Sequence, residues 1–250
     1  MQIKTVHDYQ APKDLLTDKV ILVTGAGDGI GRQAALTFAE HGATVILLGR
    51  TVDKLEAVYD EIEQAGGAKP AIIPLDLKGA TLDHYQGMAA TIKEQFGRLD
   101  GVLHNAGILS ILSPFTHIEA DDFNDAMQIN VTGPMLMTQA LLPVMQLADN
   151  ASLVFTSSGV GRKGRAYWGS YAISKFATEG MAQVIADEYE TTSVRTNVIN
   201  PGATRTSMRA KAYPAEDPKA LKTPLDLMPT YLYLMGDESK KDNNLCFDAQ

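Results

Sequence analysis

The chain has 250 residues, 45% of them hydrophobic, and a formal net charge of −8 from 22 Lys and Arg against 30 Asp and Glu. This length suffices for one domain with a sizeable core, while the acidic balance argues against general affinity for nucleic-acid phosphates. The single cysteine, Cys246, excludes an internal disulfide, and no apolar run reaches the ~18 residues of a membrane span.

Residues 1–18 are polar and broken by Pro12, without the apolar centre of a secretory signal. They read as an N-terminal arm, and the cytoplasm as the compartment. Over residues 19–250 short apolar runs alternate with helical patterns, and no linker or charge block divides them. Predicted strands are Val20–Val23, Thr44–Leu48, Ala71–Leu75, Gly101–His104, Ser152–Thr156, Thr196–Ile199 and Leu245–Phe247. Nearly all their residues are apolar, as in strands buried on both faces. Helical patterns at Asp53–Gln64, His84–Phe96, Gly133–Leu147 and Tyr171–Tyr189 supply the covering layers. Right-handed crossovers then build a single α/β domain, a doubly wound parallel sheet of seven strands (Rossmann-like). Its ligand crevice lies at the carboxyl ends of the strands.

The first strand of that pattern runs straight into Gly25-Ala26-Gly27-Asp28-Gly29-Ile30-Gly31 and then an amphipathic helix. A glycine-rich turn of this kind lets backbone N–H groups and the positive helix end approach a pyrophosphate. Gly25, Gly27, Asp28, Gly29, Ile30 and Gly31 are therefore candidate dinucleotide contacts. The second strand ends in Gly49 followed by Arg50. A carboxylate at this place would accept from the ribose 2′-OH of NAD, whereas its absence with an arginine beside it suits the 2′-phosphate of NADP. NADP(H) is the preferred cofactor on this ground, with NAD(H) possible; the alternative for Arg50 is a solvated surface cation.

Tyr171 and Lys175 stand four residues apart, with Ser158 thirteen residues upstream of Tyr171 at the end of an apolar strand. Positions i and i+4 share a helix face, so the ammonium is expected to lower the phenol pKa and ready it as a proton donor. Ser157 adjoins Ser158, but the thirteen-residue offset to Tyr171 favours Ser158.

Thr24-Gly25-Ala26-Gly27-Asp28-Gly29-Ile30-Gly31, Asn105-Ala106-Gly107, Asn130, Ser158, Tyr171, Lys175 and Pro201-Gly202 occur in the order found in short-chain dehydrogenases/reductases, and the chain resembles that family over most of its length. The segment from Ser152 to Glu188 is similar to a bacterial oxidoreductase subgroup, the YciK-like proteins. The resemblance implies that Ser158 orients a substrate carbonyl, that Tyr171 supplies its proton, and that Lys175 holds the nicotinamide ribose. It further implies that Asn130 maintains a water path to Lys175. Asp76 and Leu77 would then meet the adenine, Asn105, Ala106 and Gly107 would let the cofactor approach the backbone, and Pro201, Gly202, Thr204 and Thr206 would hold the carboxamide and pyrophosphate. For Asp76 a helix cap is the alternative. His104, where the family more often has Asn, has no assigned role, and no metal site is assigned.

The implied activity is NADP(H)-dependent interconversion of a small-molecule carbonyl and alcohol. A 3-oxoacyl-carrier-protein reductase and a cofactor-binding sensor or scaffold without turnover are the alternatives. Arg162, Lys163 and Arg165 between Ser158 and Tyr171 suggest an anionic substrate. Residues 203–224, with three prolines, read as a substrate loop or lid. Apolar stripes on Ala120–Leu147 and Tyr171–Tyr189 suggest a homo-oligomer, dimer or tetramer, by analogy with the family. The ending Leu245-Cys246-Phe247-Asp248-Ala249-Gln250 departs from the Asp-Gly-Gly common in the family and puts the packing of the last strand in question.

Overall fold

Val20-Ile21-Leu22-Val23-Thr24 is buried at every position and forms a strand near the middle of the sheet. β-Branched and leucine side chains stand alternately above and below it, so each strand feeds two cores at once. Val20 and Leu22 enter one core with Tyr85, Leu141, Phe155 and Ile185. Ile21 and Val23 enter the other with Phe38, Val58, Tyr231 and Phe247.

The computed structural model describes residues 1–250. The strands are β1 (Gln2–Thr5), β2 (Val20–Thr24), β3 (Thr44–Gly49), β4 (Ala71–Pro74), β5 (Gly101–His104), β6 (Ala151–Thr156), β7 (Val194–Asn200) and β8 (Leu245–Asp248). The helices are α1 (Gly29–Glu40), α2 (Val52–Gln64), α3 (Leu82–Phe96), α4 (Ala120–Met127), α5 (Gly133–Met145), α6 (Gly169–Glu188), α7 (Ser207–Ala212) and α8 (Met228–Met235). Strand order is β1-β8-β7-β6-β5-β2-β3-β4, and all pairs are parallel. The order reverses between β2 and β5, which opens a crevice at their carboxyl ends. No helix is long and apolar enough to cross a membrane.

The doubly wound sheet expected from the sequence is present with eight strands rather than seven. The addition comes from the segment read as an arm: Gln2–Thr5 pairs with β8 in the register Gln2 to Leu245. Lys4 fixes it there, with Nζ 2.7 Å from Asp242 and 2.9 Å from the Tyr233 hydroxyl, over the Tyr233 and Phe247 rings.

The atypical C-terminal residues do form a strand in the sheet. Arg162 ties it to α6: its side chain lies 3.4 Å from Glu179 Oε1 and 2.9 Å from Asp248 Oδ1, and it also meets the Cys246 thiol. Ser157 donates to Glu179 at 2.7 Å, and Asn200 donates to Asp248 at 3.0 Å. Burial pushes the Cys246 thiol up to about 12, so it stays protonated beside this arginine.

Removing Arg162 leaves the buried Glu179 without its cation. Arg162→Ala is expected to lower stability by about 2–3 kcal/mol, somewhat under the ~3–5 kcal/mol of a fully buried pair. A second change, Glu179→Gln, should restore part of the loss, and urea midpoints of the single and double variants check both.

Candidate active site

At the crevice the ends of β2 and β5 are joined by one side chain. Thr24 Oγ1 accepts from the backbone N–H of Asn105 at 3.0 Å and of Ala106 at 2.9 Å, while Asn105 Nδ2 donates to the Thr24 carbonyl at 3.3 Å. This contact draws the Asn105-Ala106-Gly107 turn against the glycine turn. Gly25 and Gly29 adopt φ of 68° and 56°, in the left-handed region. A Cβ on Gly31 would lie 2.3 Å from the Gly25 carbonyl oxygen, and one on Gly25 would lie 3.1 Å from Ala106 Cα. Side chains there would fill the space along the start of α1. Asp28 sits at the N-cap of α1 without a side-chain capping bond. Its carboxylate turns to Lys54 Nζ at 2.7 Å, and that hydrogen bond holds its pKa below the ordinary carboxylate value. The helix N-terminus thus keeps free N–H donors, and the acid beside it is neutralised, which suits a pyrophosphate.

Gly49 ends β3 and Arg50 is exposed just beyond, so no carboxylate occupies the strand end. The exposed Asp76 accepts from the N–H of Lys78 at 3.0 Å, a local turn contact rather than a helix cap, since Thr81 caps α3. Leu77 beside it is buried and packs with the core. His104 is buried, stacked on Phe155 with ring centroids 4.7 Å apart and hydrogen-bonded to Thr138 Oγ1 at 2.9 Å. Burial pulls its pKa down to about 3, so it is a neutral packing residue.

On the other side of the crevice, β6 ends at Thr156 and the next two serines diverge. Ser157 is turned inward to Glu179, while Ser158 stays partly exposed and faces the Tyr171 phenol, whose pKa it pulls down. The two adjacent serines thus face different partners. Tyr171 (8% exposed) and Lys175 (5%) lie on the buried face of α6. Lys175 Nζ donates to the Thr156 carbonyl at 2.8 Å and stands 5.6 Å from the Tyr171 ring centroid. Burial lowers the Lys175 pKa to about 8 and raises that of Tyr171 to about 12, opposed in part by Ser158. The expected lowering of the phenol by Lys175 is therefore not found; desolvation dominates, and only Ser158 opposes it.

Asn130 lies in a π-helical stretch, Gln128–Thr132, that joins α4 to α5. Its side chain accepts from the Ile108 N–H at 2.8 Å and donates to the Ile108 carbonyl and Ser174 Oγ, both at 3.0 Å. The wound-out turn lets a poor helix former use its amide fully. A Cβ on Gly107 would come within 3.0 Å of Asn130 Oδ1 and 3.8 Å of Lys175 Nζ, so glycine keeps the space between them open.

After β7, Pro201 and Gly202 turn the chain, with Gly202 at φ 68°. Thr204 is buried and donates to the Pro201 carbonyl at 3.2 Å. Thr206 caps α7 by accepting from the Arg209 N–H at 3.2 Å, and its methyl group would stand 3.4 Å from a Cβ on Gly29. The 203–224 segment is ordered around α7 and a 3₁₀ turn at Pro218–Ala220, latched by the Arg209–Glu216 fork at 2.7 and 2.6 Å. Between it and the glycine turn lies a cavity of about 390 Å³ lined by Asp28, Gly29, Thr206, Arg209 and Tyr213 among others.

The basic loop does not act as a unit, because Arg162 is taken into the Glu179–Asp248 cluster; Lys163 and Arg165 remain exposed. Thr24, Thr156 and Glu179 escape sequence reasoning as site supports. Only Thr24 carried a signal, as the first residue of the glycine motif.

A short chain dehydrogenase family model matches residues 19–217. The oxidoreductase YciK of Escherichia coli (strain K12) is 55% identical over 97% of this chain and 96% of its own length. A short chain dehydrogenase structure from Escherichia coli CFT073, complexed with NADPH, superposes with a TM-score of 0.94 at 55% identity, covering 96% of this chain and 100% of that one. Another from Shigella flexneri 2a str. 301, complexed with NADP, gives the same values. With the parallel sheet, the glycine turn and the Ser158, Tyr171 and Lys175 cluster, these matches show that the chain belongs to the short chain dehydrogenase family of oxidoreductases.

Proposed function

We propose that the protein is an NADP(H)-dependent oxidoreductase that interconverts a small carbonyl compound and its alcohol, with Tyr171 as the acid and base. The observation that carries this reading is the meeting of Ser158, Tyr171 and Lys175 at the same crevice as the glycine turn. Bound NADPH supplies the reducing equivalent, and the side chains place the carbonyl and handle the proton.

Ser158 Oγ donates to the carbonyl oxygen and orients it toward the Tyr171 hydroxyl. With its pKa pushed up to about 12, Tyr171 holds its proton at neutral pH. An alkoxide is a stronger base than a phenolate, so such a phenol still surrenders its proton as negative charge builds on the substrate oxygen. Lys175, buried beside the ring, contributes positive charge to that step and a donor for the nicotinamide ribose. Asn130, locked to Ile108 and Ser174, holds the wall from which a water reaches Lys175. Arg50 would bind the adenosine 2′-phosphate, and Gly25, Gly29 and Gly31 would admit the pyrophosphate.

The same reading includes a homo-oligomer. Met135 on α5 and Ile173, Phe176 and Val184 on α6 are apolar and exposed, the last two by 46% and 57%, along the two helices expected to pair.

Tyr171→Phe is expected to reduce turnover by about 10³-fold while NADPH binds within about threefold of wild type; full activity in this variant would remove the proposed acid. Arg50→Ala should weaken NADPH binding by about tenfold and leave NADH nearly unchanged, as measured by cofactor titration. In the reductive direction kcat/KM should fall above about pH 8 as Lys175 loses its charge, and Lys175→Arg should move that limb to higher pH. Unfolding cannot mimic the limb. A lysine depressed in the folded chain makes folding more favourable as pH rises from about 8 toward 10.5.

A further inference from the structure

We propose that the substrate carbonyl is attached to a flat aromatic or heteroaromatic ring, recognised by a wall formed from Trp168 and Tyr213. The assignment rests on the carbonyl oxidoreductase reading above and specifies which carbonyls that site takes.

The wall starts at the proposed proton donor. The Trp168 ring centroid lies 5.8 Å from that of Tyr171 at an interplanar angle of 56°, and 6.0 Å from that of Tyr213 at 40°. Trp168 and Leu109 pack on Tyr171 and Val160, so the surroundings of the phenol on this side are apolar. Both Trp168 and Tyr213 remain partly exposed, which leaves ring surface for a ligand.

Both residues are held in place by contacts that serve neither core. Tyr167 adopts φ 74°, in the left-handed region a bulky side chain seldom enters, and its carbonyl accepts from the Ser113 N–H at 3.1 Å. That turn delivers Trp168 to the N-terminus of α6 from a fixed direction. Tyr213 lies under the guanidinium of Arg209, 3.9 Å from its ring centroid, and Arg209 is itself locked by the fork to Glu216. The lid thus presents an aromatic face whose outer charge is already paired. Anion capture is not what this surface is shaped for. A planar ring whose carbonyl points at Ser158 and Tyr171 would lie along Trp168 and Tyr213, and aromatic pairs gain attraction beyond the area they bury. A linear alkyl chain would gain only the area.

Trp168 is the only tryptophan of the chain, so its emission reports this wall alone. The test compares benzaldehyde with heptanal, two aldehydes of equal carbon number. Benzaldehyde should quench Trp168 emission in NADP⁺-loaded protein and heptanal should not. The kcat/KM ratio of benzaldehyde to heptanal with NADPH should favour the ring by about tenfold. Trp168→Ala and Tyr213→Ala should each collapse that ratio through KM, Trp168→Phe should keep most of it, and NADPH titration confirms that each variant is folded. Equal responses of Trp168 to both aldehydes, no benzaldehyde response, or a ratio unmoved by the variants would overturn the wall. Failure to bind NADPH, or reduction of neither aldehyde despite a benzaldehyde-specific change in emission, counts against the catalytic reading and leaves the wall standing on its own readout.

Discussion

One threonine hydroxyl holds the crevice together. Thr24 Oγ1 receives two successive backbone amides from the neighbouring strand's exit, 3.0 and 2.9 Å away, and thereby fixes how far β2 and β5 separate where their following chains part. At a reversal of strand order, the two exits leave toward opposite faces and nothing in the ladder restrains them. An unmade bond to those amides would leave partly buried donors unpaired. Everything downstream inherits this spacing: the glycine turn fits against Ala106 only because the two ends are drawn together.

The opposite wall is set by a different kind of force. Arg162, Glu179 and Asp248 bind the loop after β6, helix α6 and the final strand into one charged cluster, with Ser157 and Asn200 attached through single hydrogen bonds. Lys175 lies one turn before Glu179 on α6, so its reach to the Thr156 carbonyl depends on the same helix placement. Charge that looked available for a ligand is consumed in aligning the strand ends from which Ser158 and Pro201 project.

Seven strands were legible because each is a short apolar run, and their boundaries fell within one or two residues. β1 was not, since Gln2-Ile3-Lys4-Thr5 is half polar and becomes a strand only by meeting the edge of β8. α8 was missed for the opposite reason: Met228–Met235 is apolar on nearly all sides, so it carries no periodic stripe, and burial between sheet and α1 determines it. Glycine spacing, Ser158, Tyr171 and Lys175 could be placed from order alone. The burial of Lys175 and Tyr171 could not, because desolvation depends on side chains from β6, α5 and the loops, and it reversed the expected direction of the phenol's pKa. Of the three basic residues the sequence shows together, Arg162 is set apart by the fold, because its partner Asp248 lies eighty-six residues further along.

The pairing of β1 with β8 has a bearing on how the chain acquires its shape during synthesis. Strand β1 has its only sheet neighbour in β8, at residues 245–248. Until that stretch emerges, Gln2–Thr5 must remain solvated, and its mixed polarity allows this without inviting premature association. This edge pairing is therefore a late seam, because β1 has no partner until β8 is made.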